Sequence, residues 1–532
     1  MTETAAKTSA RQGSVLFGLL AVIPAFVLLC SGYVVPTVRT VLAGFTDVDM
    51  LGKESESVGL ENYSDVFSDF AESLVWPLIF AVLVTLTAVG GGGTLAYLAA
   101  RAGRAGRWTA RIAFALPMAA VATAGAAAAW VLTYERSGGL NPLFAQYLTF
   151  FGLAVGLGAT AYLLVFRRST RPRDAWSGVL LVSGAIAASS LAIGLQAFGF
   201  PYLLGRTPDG PRFATPALLI FQHSFQTFRL GTASAAAVLL WLPLVALGIG
   251  IALWLILTRA RIVPADQPSA EQTTAPAPAD NLGWRVISFI VTGGLLLLGL
   301  AGLTPWLLNS VGFDTEAVRG NLFTHLSFTW LPPLISTVVG VLAAALAGYG
   351  IGALRPLGDR SELLLLPFAP WLFVGLAGLT PDAFLHRTED GSEFLFLIPP
   401  ASLAIPVLFA STLLFRGVRW TRALPVVGLA ALLTWVVQAQ DTLWPILAGF
   451  QPDSAPMQVV VMQTIQEFRY RGDGGVPTGW LYPLPVFLLV AAAIAAAQVL
   501  VLDRLALRTG RTVDTDQAVA APVSTEDTSA GQ

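Results

Sequence analysis

The sequence has little charge, one cysteine and almost no lysine. Only 12% of the 532 residues are charged and the mean hydropathy is +0.69, which excludes a water-soluble enzyme. The single cysteine, Cys30, lies in the first apolar stretch, so no intramolecular disulfide can form. The three histidines, His223, His325 and His386, lack metal-ligand spacing, and we expect no metal site and no catalytic residues.

Two further absences narrow the class of protein. No Gly-Lys-Ser/Thr phosphate loop is present, so any ATP and Mg²⁺ would be bound by a separate subunit. A coherent basic face is missing too, because the polar connection 36–73 is rich in Asp and Glu, and nucleic acid is not an expected partner. Of 31 basic residues only Lys7 and Lys53 are lysine, which we attribute to a GC-rich bacterial genome.

Long apolar stretches occur along the whole chain. Stretches of this length cross about 30 Å of hydrocarbon. Lipid offers the backbone no hydrogen-bond partner, so they must be helices. The predicted spans are 14–35, 75–100, 112–134, 147–166, 177–195, 232–258, 286–308, 331–353, 362–380, 395–415, 423–439 and 483–503. The predicted fold is an all-α polytopic membrane protein with about twelve transmembrane helices.

Arginine clusters follow every second apolar stretch. The clusters are Arg101/Arg104/Arg107/Arg111, Arg167/Arg168/Arg171/Arg173, Arg259/Arg261, Arg355/Arg360, Arg416/Arg419/Arg422 and Arg504/Arg508/Arg511. Cytoplasmic loops are enriched in basic residues, so the pattern predicts six plus six spans with both termini in the cytoplasm. We expect a multi-pass protein of the bacterial plasma membrane, in contact with the lipid bilayer.

The spacing of the clusters divides the chain into two parallel six-helix repeats. The predicted segments are a cytoplasmic N-terminal segment 1–13, a first transmembrane half 14–262, a flexible cytoplasmic linker 263–283, a second half 284–508 and a disordered cytoplasmic tail 509–532. Both halves begin on the same side, so their pseudo-symmetry axis is expected along the membrane normal. A groove between two such halves is a natural transport path.

Several local patterns occur in the order found in a known family. They are Gly59-Leu-Glu-Asn-Tyr63, Leu116-Pro117, Gly139-Leu-Asn141, Tyr202-Leu-Leu204, Pro208-Asp-Gly-Pro211, Leu230-Gly-Thr-Ala-Ser-Ala235, Leu346-Ala-Gly-Tyr-Gly350 and Asp441-Thr-Leu-Trp-Pro445. In this order they resemble the two permease subunits of maltose-type ABC importers, fused into one chain. The resemblance implies two permease-type halves, import of a carbohydrate or related polar solute, a cytoplasmic ATPase dimer, and an extracytoplasmic solute-binding protein that meets loops 199–228 and 440–482.

The resemblance fails where the ATPase would be coupled. Such permeases carry a Glu-Ala-Ala helix in the cytoplasmic loop after the fourth span of each half. Here the loops 166–178 and 415–425 contain no glutamate and are short, with Asp174-Ala175 as a possible remnant. The ATPase-coupling helices are therefore degenerate or missing.

The same two loops supply candidate residues for docking a cytoplasmic partner. They are Arg167, Arg168, Arg171, Asp174, Arg416, Arg419 and Arg422. Guanidinium groups suit charge-assisted pairing with carboxylates of a pseudo-symmetric partner such as an ATPase dimer. The alternative is that these arginines only mark the cytoplasmic side.

Polar and aromatic residues near the fifth span of each half are the candidates for a substrate path. They are Gln196, Phe198, Gln438, Gln440, Asp441 and Trp444. Amides and carboxylates bind sugar hydroxyls, aromatic faces bind sugar rings, and an ionisable group at the edge of a span is costly without a role. Alternatively, these residues are polar helix ends and interfacial aromatics.

Two other functions remain open alongside a transporter that is not itself an enzyme. One is a permease-derived membrane scaffold or regulator that does not transport. The other is a polytopic glycosyltransferase or lipid-linked-sugar enzyme, for which the pair Asp47/Asp49 in the first outer loop would be the acidic site.

Overall fold

The computed structural model describes most of the chain. The described residues are 2–48, 56–134, 141–167, 175–204, 214–265, 282–311, 318, 320–385, 393–448, 455–471 and 476–510. Nearly all are helical, and sheet is confined to two pairs of short strands. The prediction of an all-α polytopic membrane protein is confirmed.

The first half contains twelve α-helices among its described residues. They are α1 Thr2–Leu29, α2 Val35–Ala43, α3 Glu61–Ser73, α4 Val75–Leu86, α5 Gly93–Arg101, α6 Gly103–Ala119, α7 Thr123–Tyr134, α8 Pro142–Phe166, α9 Trp176–Leu195, α10 Gly199–Leu204, α11 Pro216–Phe225 and α12 Leu230–Leu257. A π-helical turn, Cys30–Val34, joins α1 to α2, and another, Thr87–Gly92, joins α4 to α5. Helix α1 begins at Thr2, well before residue 14, the predicted start of the first span.

The second half contains ten α-helices among its described residues. They are α13 Leu282–Asn309, α14 Leu322–Tyr349, α15 Thr380–Leu385, α16 Glu393–Phe396, α17 Ile405–Phe415, α18 Trp420–Ala439, α19 Leu443–Ala448, α20 Met457–Arg471, α21 Thr478–Leu481 and α22 Leu484–Leu500. A π-helical turn, Gly350–Leu354, follows α14, and 3₁₀ helices cover Gly358–Trp371, Leu376–Leu379 and Leu502–Arg504.

Nine continuous helical segments of the described chain are long and apolar enough to cross a bilayer, and some of them combine two or three of the numbered helices. Two more predicted spans are bent pairs: α6 meets α7 at 77°, and the 3₁₀ helix Gly358–Trp371 meets the segment Leu376–Ala383 at 65°. Prolines precede both breaks, Pro117 in one and Pro370 in the other, and each removes a helical hydrogen bond. The remaining predicted span, 395–415, contains the shorter helix α17, so the count of twelve stays a prediction.

Part of the order of elements recurs in the two halves. Helices α9 and α18 each span 20 residues, each begin at a tryptophan, and each are followed by a glutamine and a six-residue helix. The bent pair that forms the third span recurs as well. The division of the chain into two parallel six-helix repeats stays a prediction.

The strands after the last span of each half pair with one another. Strand β3 (Arg261–Pro264) follows α12, and β4 (Leu505–Arg508) follows α22; β1 (Thr46–Asp47) and β2 (Glu56–Ser57) form a separate hairpin. In the antiparallel register Arg261 pairs with Arg508 and Pro264 with Leu505. Equivalent strands paired in this way place a local twofold axis between them. The strand β3 also extends two residues into the predicted linker, of which 266–281 lie outside the described residues.

The halves are intertwined rather than packed side by side. Helix α1 packs on α14 of the second half, and α13 packs on α5 and α8 of the first. The last spans cross over too, because α22 packs on α6 and α12 packs on the 3₁₀ helix Gly358–Trp371. The buried clusters therefore mix residues of both halves; Trp306, for example, lies against Tyr482 and Phe487 in a cluster with Trp130.

Small residues allow one of the close helix approaches. The run Gly90–Gly93 lies in and after the π-helical turn, where a Cβ on Gly92 would lie 2.9 Å from the backbone of Gly158 in α8. A larger residue at Gly92 would push α8 away, so this glycine run serves helix packing.

Candidate functional site

A cavity of about 550 Å³ lies where the two bent spans meet. Val121 and Thr123 line it from the break between α6 and α7, and Gly375 and Leu376 line it from the break in the second half. Its volume is within the roughly 300–1,000 Å³ range of small-molecule sites. Both halves thus contribute their bent third span to one cavity.

The end of α18 and the turn after it supply most of the polar lining. Gln438, Gln440, Asp441 and Trp444, four of the predicted substrate-path residues, all line the cavity. The Thr337 hydroxyl donates to Gln438 Oε1 at 3.2 Å, and Gln440 Nε2 donates to the Leu481 carbonyl at 3.2 Å. These bonds hold the two amides in place.

Asp441 also stabilises the short helix that follows it. Its Oδ2 accepts a hydrogen bond from the Trp444 backbone N–H at 3.0 Å, in the first turn of α19. A carboxylate is favourable there because the N–H groups of a first turn lack helical partners. The indole Nε1 of Trp444 donates to the Phe396 carbonyl at 3.0 Å, which fixes the ring beside the cavity. Within the part of the chain that the structure describes, Asp441 has no basic partner, and this hydrogen bond helps to stabilise it at the edge of the span.

The other two predicted path residues lie outside the cavity lining. Gln196 Nε2 donates to the Phe373 carbonyl at 2.8 Å, and its Oε1 accepts from the Gly375 N–H at 2.6 Å. Phe198 is buried in an aromatic cluster, with ring centroids 5.1 Å from Tyr202 and 5.0 Å from Phe221. Gln196 thus supports the cavity wall, and Phe198 packs behind it.

Each half holds the broken span of the other half. Gln196 of the first half binds the break at Phe373–Gly375, as described. In the equivalent position of the second half, the Gln440 carbonyl accepts a hydrogen bond from Thr123 Oγ1 at 3.2 Å, at the break of α6 and α7. The glutamine after the fifth span therefore positions the opposite break in both halves.

The arginine clusters gather at one end of the bundle, which we call the arginine end. Asp503 accepts from Arg107 Nε at 2.8 Å and from Trp108 Nε1 at 3.3 Å, and Arg111 Nε lies 3.7 Å away. Glu362 Oε1 lies 2.7 Å from Arg416 Nη1. The strands β3 and β4 connect these two groups.

Two of the predicted docking arginines bind the opposite half instead of pointing to solvent. Arg167, at the end of α8, donates through Nε to the Asp503 carbonyl at 2.8 Å. Arg416, at the end of α17, donates through Nη1 to the Ala260 carbonyl at 3.4 Å. Both carbonyls belong to the segment that leads from the last span into β4 or β3.

The other docking candidates divide into two groups. Arg419 and Arg422 are exposed at the start of α18, beside Trp420, of which 58% is exposed. Arg168, Arg171 and Asp174 lie outside the described residues. Among the candidates that the structure describes, the exposed arginines are therefore Arg419 and Arg422 of the second-half loop.

Sequence reasoning did not identify several residues of both sites. Tyr33 and Gln458 line the cavity, and Asp503 and Glu362 pair with the buried arginines. A signal was available for the last two, since each is an acidic residue within an arginine cluster. Tyr33 carries no comparable signal, because its neighbours in sequence are apolar.

No protein-family model, no curated protein and no solved structure matches this chain.

Proposed function

We propose that this protein is the membrane permease of an ABC importer, with both permease halves fused in one chain. Its solute is a carbohydrate or a related polar molecule, taken across the bacterial plasma membrane. The observation that carries the proposal is the cavity between the two bent third spans. Both termini lie in the cytoplasm in this proposal, a separate ATPase dimer hydrolyses ATP with Mg²⁺, and an extracytoplasmic protein delivers the solute.

The build of the cavity supports a transport path. Discontinuous helices at the interface of two repeats are typical of transporter sites, because broken backbone at membrane depth is tolerated where it lines a cavity. Here each break is held by a hydrogen bond from the opposite half, Gln196 to Phe373 and Thr123 to Gln440. A relative movement of the halves would therefore change the shape of the cavity.

The exposed loop of the second half is the best candidate for docking the ATPase. Arg419 and Arg422 are exposed, and charge-assisted bonds to carboxylates suit guanidinium groups at such a surface. Arg167 and Arg416 are used within the molecule, so they are poor docking residues.

A non-transporting scaffold is the second candidate, and a specific observation favours it. The two arginines at equivalent positions of the coupling loops bind the opposite half, and neither loop contains the Glu-Ala-Ala helix of ABC permeases. A permease whose coupling loops only join the two halves would keep the cavity but would no longer bind an ATPase.

Affinity purification of the tagged full chain from its native membrane separates the two candidates. A transporter is expected to bring down an ATPase in stoichiometric amount, and Arg419→Ser with Arg422→Ser should release it without changing the amount of chain in the membrane. The matched control is Arg360→Ser, an exposed arginine at the same end, which should retain the ATPase. Recovery of intact chain without any ATPase would exclude the importer and support the scaffold.

A further inference from the structure

The cavity has a polar side and an apolar side. Thr123, Gln440, Asp441 and Gln458 form a contiguous polar patch, because Thr123 binds the Gln440 carbonyl and the amide of Gln458 donates to the Ala439 carbonyl. The wall built from residues 397–407 is apolar, and Phe328, Pro333 and Leu433 extend it. A sugar without an apolar substituent has no large apolar surface to pack against this wall.

The polar patch retains unused hydrogen-bond acceptors. Gln440 and Gln458 are each 1% exposed, and within the described chain the amide oxygens of both have no hydrogen-bond partner. A buried acceptor without a donor is costly, and both oxygens are closed to solvent, so a ligand hydroxyl gains these two bonds only where the amide side chains turn toward the cavity.

The charge of the lining excludes one class of ligand. Among the described residues that line the cavity, none is lysine, arginine or histidine, and Asp441 is the one acidic residue. An anionic ligand would be buried beside a carboxylate without a compensating cation. The Asp441 carboxylate is itself bonded to the Trp444 N–H, so it does not require a cationic ligand.

We infer that the cavity binds an uncharged amphipathic glycoside, a polyhydroxyl head joined to an apolar ring or chain. The head lies on the patch of Thr123, Gln440, Asp441 and Gln458, and the apolar group lies against the wall of residues 397–407. This inference rests on the proposed function only for the direction and energy source of transport. It narrows the substrate from carbohydrates in general to those with an apolar substituent.

The test measures binding to the purified full chain in lipid nanodiscs, by tryptophan fluorescence and by calorimetry. The probes are phenyl β-D-glucoside, methyl β-D-glucoside, phenyl β-D-glucuronide and benzylamine. Burial of the phenyl ring should make phenyl glucoside bind at least about tenfold more tightly than methyl glucoside. The glucuronide should bind at least about tenfold more weakly than phenyl glucoside, because its carboxylate meets Asp441.

Two tryptophan variants of α18 locate the binding. Thr434→Trp fills the cavity and should abolish phenyl glucoside binding. Leu424→Trp is on the same helix at an exposed position outside the lining and should leave the affinity unchanged. Equal loss in both variants would overturn the location.

The remaining outcomes are decisive as well. Tighter binding of methyl glucoside or the glucuronide, or a preference for benzylamine that Asp441→Asn abolishes, would overturn the ligand class. Phenyl glucoside binding without any copurified ATPase would support the ligand class and exclude the importer. An importer that neither binds nor takes up phenyl glucoside would keep its function and lose the proposed substrate.

Discussion

At the arginine end, two charged centres stand at equivalent places in the halves, and their charges are exchanged. In the Asp503 centre, Arg107 and Arg111 on the bent span of the first half face Asp503, two residues before β4. In the Glu362 centre, the bent span of the second half carries the acid, which binds Arg416, and Arg259 stands two residues before β3. The bent span thus carries the basic residues in one centre and the acidic residue in the other, and both centres lie beside a strand that follows a last span.

The two centres also differ in burial and in how many cations share one acid. The side chains of Arg111 and Asp503 are 1% and 8% exposed, and two arginines and an indole surround the single carboxylate. Among the described residues, Glu362 has one arginine in direct contact, Arg416, with side chains 11% and 10% exposed, while Arg259 and Arg355 act on it from farther away. The Asp503 centre therefore depends more strongly on its acid than the Glu362 centre does.

The largest effect is expected from Asp503→Asn. Loss of the charge leaves Arg107 and Arg111 buried without a compensating carboxylate, which costs about 3–5 kcal/mol of unfolding free energy. Denaturant titration of the purified protein in detergent measures it. The control Asp359→Asn removes an acid that is 86% exposed beside Arg355 and should cost less than about 1 kcal/mol. Similar losses in the two variants would show that the Asp503 centre is not a buried junction.

A smaller effect is expected from Glu362→Gln. The amide oxygen still accepts a hydrogen bond from Arg416, so the loss should be about 1–3 kcal/mol in the same titration. Adding Arg416→Gln should cost less than the sum of the two single changes, because the single change leaves an unpaired partner. Strict additivity would mean that the two side chains do not interact.

The smallest effects are expected from Arg167→Lys and Arg416→Lys. Each keeps the positive charge but loses a directed N–H bond to a carbonyl of the opposite half, at Asp503 or Ala260, worth about 1 kcal/mol. Arg419→Lys, at an exposed position, should stay within about 0.5 kcal/mol of the unmodified protein. If all three variants behave alike, the two cross-half bonds make no contribution to stability.

The exchange of charges explains part of what the sequence could and could not predict. Hydropathy and arginine spacing predict the helices, their repeat and the arginine end, since these depend on local composition. Four of the six path candidates, Gln438, Gln440, Asp441 and Trp444, line the cavity. They could be selected from the sequence because the polar turn after an apolar span is recognisable there. Pro117 and Pro370 were available signals for the breaks, although hydropathy alone gives the length of a span and not its bend.

Contacts between the halves were beyond prediction. The crossing of α1 onto α14, and the pairing of Arg107 with Asp503 almost 400 positions along the chain, depend on how distant segments meet. The bent span carries arginines in the first half and Glu362 in the second. An alignment of the two halves by charge therefore does not reveal that the two centres are equivalent. Arg167 and Arg416 look like docking residues in sequence because each donates to a backbone carbonyl of the opposite half, which no residue type indicates. Arg416 also pairs with Glu362, an acid that the sequence does offer.

The pairing of β3 with β4 has a consequence for the assembly of the protein. Neither strand finds its hydrogen-bond partner within its own half; the register joins Arg261 to Arg508, and the Ala265 N–H donates to the Arg504 carbonyl at 2.7 Å. Two polypeptides divided between residues 266 and 281 would carry complementary edges and the same interlocking helices. The covalent connection replaces a concentration-dependent association by an intramolecular one. The one-to-one ratio of the two strands is thereby fixed at synthesis.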